Sequence, residues 1–148
     1  MKRLKNSTKA IIISICAVVV LAGIINALRV VNKKIDSVKI VVNGLGAAGT
    51  AISKMLIAAG AENMVLVDKR GIIDVNDELL GEERQALATI TNPEGLTGAL
   101  DVAIKNADVF VGVSAPGIVT EEMVMSMNSD AIVFAMANPT PEIMPNLA

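Results

Sequence analysis

The stretch KIVVNGLGAAGTAISKMLIAAG, residues 39–60, constrains this chain more than any other. A β-branched run, KIVVN, leads directly into Gly44-Leu45-Gly46-Ala47-Ala48-Gly49. A segment rich in Ala, Ile, Leu and Met follows and stops at Gly60, a natural helix C-cap. G-x-G-x-x-G by itself recurs by chance. Placed between a strand and a helix, it has a mechanical meaning. Gly44 permits the tight turn, and Gly46 lets the backbone approach a pyrophosphate. Gly49 allows close helix–strand packing, while Ala47 and Ala48 begin a helix whose N-terminus faces the anion.

The remainder repeats the same alternation. NMVLVD (63–68) reads as a second buried strand, DVFVGV (108–113) as a third and AIVFAMA (131–137) as a fourth. Between them, KRGIIDVNDELLGEE reads as a loop entering a helix near residues 82–90, and TNPEG is a break. LTGALDVAIKNA (96–107) places Leu96, Ala99, Leu100, Ala103 and Ile104 on one helical face. Thr120 caps EEMVMSMN, whose Glu121 and Glu122 suit the positive end of the helix dipole. NPTPEIMPNLA is a proline-broken tail. Strand and helix in alternation predict an α/β, Rossmann-type doubly wound domain: a mostly parallel sheet with helices on both faces. The 148 residues suffice for one such domain. With two Phe and no Trp or Tyr, aliphatic residues, Ala and Met must fill its core.

Composition also narrows the chemistry. There is no His and no Tyr, which removes the commonest general base and the usual phenol acid. His- or Cys-cluster zinc sites are excluded too, and acid–base work would fall to Asp, Glu or Lys. The single cysteine, Cys16, lies in an apolar run and is expected to be a small buried thiol. A net charge of -2, with no basic stripe beyond the first residues, gives no support for nucleic-acid binding.

Asp68 ends the second strand, 19 residues after Gly49, where a carboxylate can accept hydrogen bonds from adenosine ribose hydroxyls. The plainer reading is a loop Asp closing a strand. Asp68 favours NAD, since a 2′-phosphate would meet its charge; Lys69 and Arg70 can instead grip that phosphate, leaving NADP open. Gly112-Val113-Ser114-Ala115-Pro116-Gly117 follows the third strand, at the carboxyl edge where open α/β sheets place ligands. Its small residues, Ser114 among them, suit a nicotinamide ribose against the backbone, or simply a strand-to-helix turn. Asn138, after the next strand, can orient a nicotinamide or a substrate oxygen, or merely start an Asn-Pro turn. Glu82/Glu83 and Glu121/Glu122 are helix-start pairs explained by capping and dipole.

The N-terminus supports two readings. MKRLK followed by an uncharged run between Lys9 and Arg29 has the form of a signal peptide or short membrane anchor. Yet no A-x-A site follows, and the run continues without a linker towards the next strand. A buried apolar helix over about residues 12–31 is the competing account.

Together AVVVLAGIINALRVVNKKI, KIVVNGLGAAGTAI, VDKRGII, ADVFVGVSAPG and IVFAMANPTPEIMP resemble the NAD(P)-binding domain of bacterial malic enzymes. The likeness runs from about Ala17 to the end. Residues 1–16 match nothing in the family and are read as an unrelated segment before a partial domain over 17–148. Malic enzymes oxidise malate and decarboxylate the product to pyruvate with Mg²⁺ or Mn²⁺. The resemblance implies that Gly44, Gly46, Ala47, Ala48, Gly49, Asp68 and Lys69 hold the dinucleotide. It puts Ser114 near the nicotinamide and Asn138 against nicotinamide or malate. It also exposes departures. The family's catalytic Tyr and Lys and its Glu–Asp metal pair belong to an N-terminal domain, and its Asp-rich metal-binding turn is here AIIISICA (10–17). Neither metal nor catalytic residues are therefore expected in this chain. A separate catalytic half is the implied partner, and a homo-oligomer is open. From Ala17 the helix looks like the family's own, so a soluble, cytoplasmic chain is expected, the alternative being a membrane anchor through residues 10–28.

Overall fold

The computed structural model describes residues 2–77 and 79–148, with side chains from residue 7 onward. The basic Lys2, Arg3 and Lys5, read above as the start of a leader, lie outside the described side chains.

Four runs of β-branched and aliphatic residues form the parallel strands β1 (Lys39–Asn43), β2 (Asn63–Asp68), β4 (Val109–Gly112) and β5 (Ile132–Ala135). A two-residue antiparallel strand, β3 (Gly71–Ile72), pairs with β2 and completes a sheet of order β3-β2-β1-β4-β5. Because side chains alternate along a strand, each strand feeds both faces. Ile40, Val42, Met64, Leu66, Val109 and Val111 join one core, against α1 (Lys2–Val30), α2 (Ala47–Ala58) and α3 (Glu82–Ala88). Val41, Val65, Val67 and Phe110 join the other, against α4 (Leu100–Ile104) and α5 (Glu121–Met125). Each fully buried Leu or Ile here contributes about 1.5–3 kcal/mol. The doubly wound architecture stands as expected.

Helix α1 buries a single stripe, Ala17, Val20, Ile24 and Leu28, spaced to fall on one helical face. Ile11, Ile12, Ile15, Val18 and Val19 are exposed, so the helix expected to be buried is mostly exposed and buries only this stripe. Cys16 is exposed, contrary to expectation, because it sits one residue out of phase with the buried stripe. Ser7–Val30 is long and apolar enough to cross a membrane by length and composition.

Two further expectations are corrected. The loop after β2 contains β3, and the predicted helix over 96–107 begins only at Leu100. β3 forms by pairing with β2, Val67 beside Ile72 and Asp68 beside Gly71, and the late start of the helix lies with Gly98. Gly98 takes φ +129°, which no helix accommodates, and its carbonyl accepts a hydrogen bond from the Ile72 amide at 2.9 Å. The chain ahead of α4 is thus used to hold β3, leaving Ala99 exposed and Leu96 half-buried outside the helix. The helix expected over 82–90 ends at Ala88, with Thr89 as its cap. Thr120 caps α5 as expected, its hydroxyl accepting from the Met123 amide at 3.2 Å.

At the amino edge of the sheet, Asp108 ties three segments together. It accepts from Lys33 Nζ and the Lys39 amide, each at 2.9 Å, and from Asn128 at 3.0 Å. Burial opposes ionisation of Asp108, but these hydrogen bonds outweigh it and hold the carboxyl below the usual carboxylate range. Burial pushes the Lys39 ammonium below the usual lysine range, with Glu94 and Asp108 acting against it.

Candidate functional site

Strand order reverses between β1 and β4, since the chain passes from β1 outward to β2 and β3 and then crosses back to β4. A crevice opens at such a point beyond the carboxyl ends of the strands. Gly44 leaves β1 at φ +107°, and a Cβ there would lie 2.7 Å from the Val113 carbonyl oxygen. The turns after β1 and β4 are therefore pressed together. Gly49 is tighter still, because an added Cβ would stand 1.8 Å from the Gly44 oxygen. Gly46 is the opposite case. A Cβ there would meet nothing within 4 Å, and its φ of -75° is open to any residue.

Helix α2 starts at this turn with no side-chain cap and no acidic residue in its first turn. Its first amides are left for an anion, which the dipole also favours. Gly46 and Ala47 are exposed and Ala48 is half-buried, so a ligand has access to them.

Beside the turn lies a cavity of about 370 Å³, lined by Asn43, Asp68, Arg70, Leu100, Ser114 and Ile118 among others. Asn43 is 4% exposed, and its buried amide nitrogen has no hydrogen-bond partner among the described residues. An orphaned buried donor is costly, so it marks a place where a ligand acceptor fits. Open space over Gly46, uncapped helix amides and this donor together fit a dinucleotide. A larger cavity, about 630 Å³, lies along Ile73, Asn76, Thr89 and Asn92. It is remote from the glycine turn, and the turn rather than volume identifies the site.

Asp68 sits where expected, with its side chain 7% exposed. It is already engaged. Oδ1 accepts the Arg70 amide at 2.8 Å, and Oδ2 accepts from Arg84 Nη1 at 3.1 Å. Arg84 also donates through Nη2 to the Leu45 carbonyl at 2.7 Å, fastening the glycine turn to the end of β2. Arg70 turns mainly to Asp77, at 2.8 Å, and Lys69 is exposed. Nothing in the sequence spacing pointed to Arg84. Its only signal was a positive charge on the helix after an acidic strand end.

Ser114 and Asn138 are both exposed and follow the neighbouring strands β4 and β5, whose Gly112 and Ala135 are in register. The Asn138–Pro139 peptide is cis. Between the two segments lies a residue that sequence reasoning passed over. Glu142 is fully buried and accepts the Ser114 amide on Oε1 and the Ala137 amide on Oε2, each at 2.9 Å.

A glycine turn from strand to helix at a topological switch point, an acidic residue closing the next strand and an uncapped helix N-terminus define a Rossmann-type dinucleotide-binding domain. Residues 13–145 match the family described as malic enzyme, NAD binding domain, and the chain belongs to that family. It is 52% identical over 132 residues to the NAD-dependent malic enzyme of Geobacillus stearothermophilus, covering 89% of this chain and 28% of that protein. Identity to the NADP-dependent malic enzyme of Halomonas elongata is 43%, over 89% of this chain and 31% of the relative. The solved NAD-dependent malic enzyme from Thermotoga maritima superposes with a TM-score of 0.86 at 48% identity, covering 90% of this chain and 36% of that one. The chain thus spans about a third or less of the length of these relatives. Its ligand class is the dinucleotide, and the relatives include both NAD- and NADP-dependent enzymes.

Proposed function

We propose that this chain holds the dinucleotide along its carboxyl edge and supplies the cofactor half of a site that oxidises and decarboxylates malate. The observation that carries this reading is the cavity shared by Asp68, Ser114 and Asn43 with its unpartnered amide, next in chain to the glycine turn whose Gly46 lies open. The amides of Gly46, Ala47, Ala48 and Gly49 receive the pyrophosphate. Asp68, with Lys69 beside it, receives the adenosine ribose, and its charge favours NAD over NADP, moderated by Arg84. Ser114 and Asn138 border the nicotinamide, and Asn138 also orients a substrate oxygen. When bound, the nicotinamide supplies the hydride acceptor.

Acid, base and metal ligands come from a separate catalytic half. The chain has no Tyr or His, and among the described residues no three His, Cys, Asp or Glu side chains gather as a metal site. Without groups that stabilise the transition state, holding a cofactor produces little rate. Purified alone, the chain is expected to bind NADH saturably, read by nicotinamide fluorescence, and to form no pyruvate from malate, Mn²⁺ and NAD or NADP. Absence of NADH binding, or robust pyruvate formation, refutes the reading. A cytoplasmic location is part of it, because Ala17, Val20, Ile24 and Leu28 pack into the domain core, contacts that a helix crossing a bilayer would give up. Recovery of the protein in the membrane fraction would contradict that part.

A further inference from the structure

We propose that Glu142 is the positioning residue for the nicotinamide half of the site, an assignment that rests on the reading of Ser114 and Asn138 above. Its side chain is 0% exposed. Buried carboxylates are costly unless hydrogen-bonded. Here the partners are two backbone amides from two different segments: Ser114, just past β4, and Ala137, just past β5. The Glu142 backbone adds to this, its carbonyl accepting the Val119 amide at 3.0 Å, while Pro141 accepts from Gly117 at 3.1 Å. One side chain thereby locks together the two strand-end segments that carry Ser114 and Asn138.

The end of β4 is shaped around it. A Cβ on Gly112 would lie 2.4 Å from the Glu142 carboxyl carbon and 2.7 and 2.8 Å from its oxygens. Gly112 is therefore glycine for lack of room, and what occupies the room is the carboxylate. An apolar side chain of similar size would fill that space without holding either amide. Directional bonds at the two ends of one carboxylate instead define the spacing between the segments, and catalytic and binding geometries depend on such spacing.

The test uses the full chain. In Glu142→Gln the amide keeps an acceptor for one segment and turns a donor towards the other. NADH affinity should fall about tenfold, because the two segments bordering the nicotinamide lose their fixed spacing. ADP, which uses the β1 and β2 ends, should weaken by no more than about threefold, a residual effect that arises because Ser114 lines the same cavity as Asp68. Leu28→Ala, a core truncation in α1, serves as the control: it should lower Tm while leaving the ratio of NADH to ADP affinity unchanged. In the wild-type chain, with no variant required, the Ser114 and Ala137 amides should be protected from hydrogen exchange before any ligand is added. Unprotected amides, NADH affinity unchanged in Glu142→Gln, or ADP weakened as much as NADH each overturn the proposal. A wild-type chain that binds neither NADH nor ADP overturns the underlying reading of the site, and the proposal with it.

Discussion

The second and third glycines of the turn, Gly46 and Gly49, should fail in opposite ways, and the contrast separates ligand contact from packing. Gly46 has room for a methyl group, with nothing within 4 Å of the added Cβ, and φ -75°, ψ -171° is an extended backbone that Ala adopts. In Gly46→Ala, restriction of the unfolded chain stabilises by about 0.4–1 kcal/mol. The poorer N-cap costs a similar amount, about 0.5–1 kcal/mol, and the two nearly cancel. Tm should therefore stay within about 3 °C of wild type. A pyrophosphate drawn close to this backbone would meet the new methyl. Losing one charge-assisted hydrogen bond of about 1.5–3 kcal/mol weakens NADH roughly ten- to hundredfold. Gly49→Ala differs because its Cβ would stand 1.8 Å from the Gly44 oxygen, so that turn must retreat by 1.2 Å to reach the 3.0 Å below which such contacts do not occur. Overpacking against backbone costs about 3 kcal/mol, a large part of the 5–15 kcal/mol typical of a domain, so Tm should fall by roughly 6–12 °C. Thermal unfolding by circular dichroism and NADH fluorescence titration on both variants provide the readout. Unchanged NADH affinity in Gly46→Ala would show that no ligand lies against this turn, and the site assignment would be wrong.

Two more outcomes follow from the charged groups. Arg84→Ala removes the hydrogen bonds to Leu45 and Asp68 and leaves the Asp68 carboxylate less neutralised; NADPH should weaken more than NADH, by about tenfold in the ratio, measured by calorimetric titration. Asp108 titrates below its ordinary value of 3.8 in the folded protein, so on acidification the unfolded chain takes up the proton first. Its contribution is full above that value and is lost as pH falls through the folded one. Urea unfolding of wild type and Asp108→Asn should accordingly differ at pH 7, and the gap should narrow as pH is lowered below 3.8; a gap that does not shrink on acidification would refute the assignment.

The part of this protein legible in its sequence is the part built from local rules. A β-branched run, a glycine turn and an apolar helix must follow one another in chain order, so the Gly44–Gly49 turn could be read directly. Asp68 and Ser114 could be placed for the same reason, as one closes and the other closely follows a strand that its own residues announce. Helix boundaries were less legible where distant chain intervened. Gly98, at φ +129° with its carbonyl held by the Ile72 amide, delayed the predicted helix, and pairing with β2 made a strand of Gly71 and Ile72. The exposure of Cys16 likewise depended on which stripe of α1 meets the sheet.

What tertiary structure alone decided is how the strand ends are held together. Arg84 reaches Leu45 across 39 residues and Glu142 reaches Ser114 across 28. Neither pairing leaves a periodicity or spacing in the sequence, because a side chain bonding to a remote backbone group constrains its own position and asks almost nothing of the residue it meets. By itself the sequence determined a strand–glycine turn–helix fit for a dinucleotide. The folded chain determined the buried Glu142 carboxylate and the half-buried Arg84 guanidinium that set the distances between the turns.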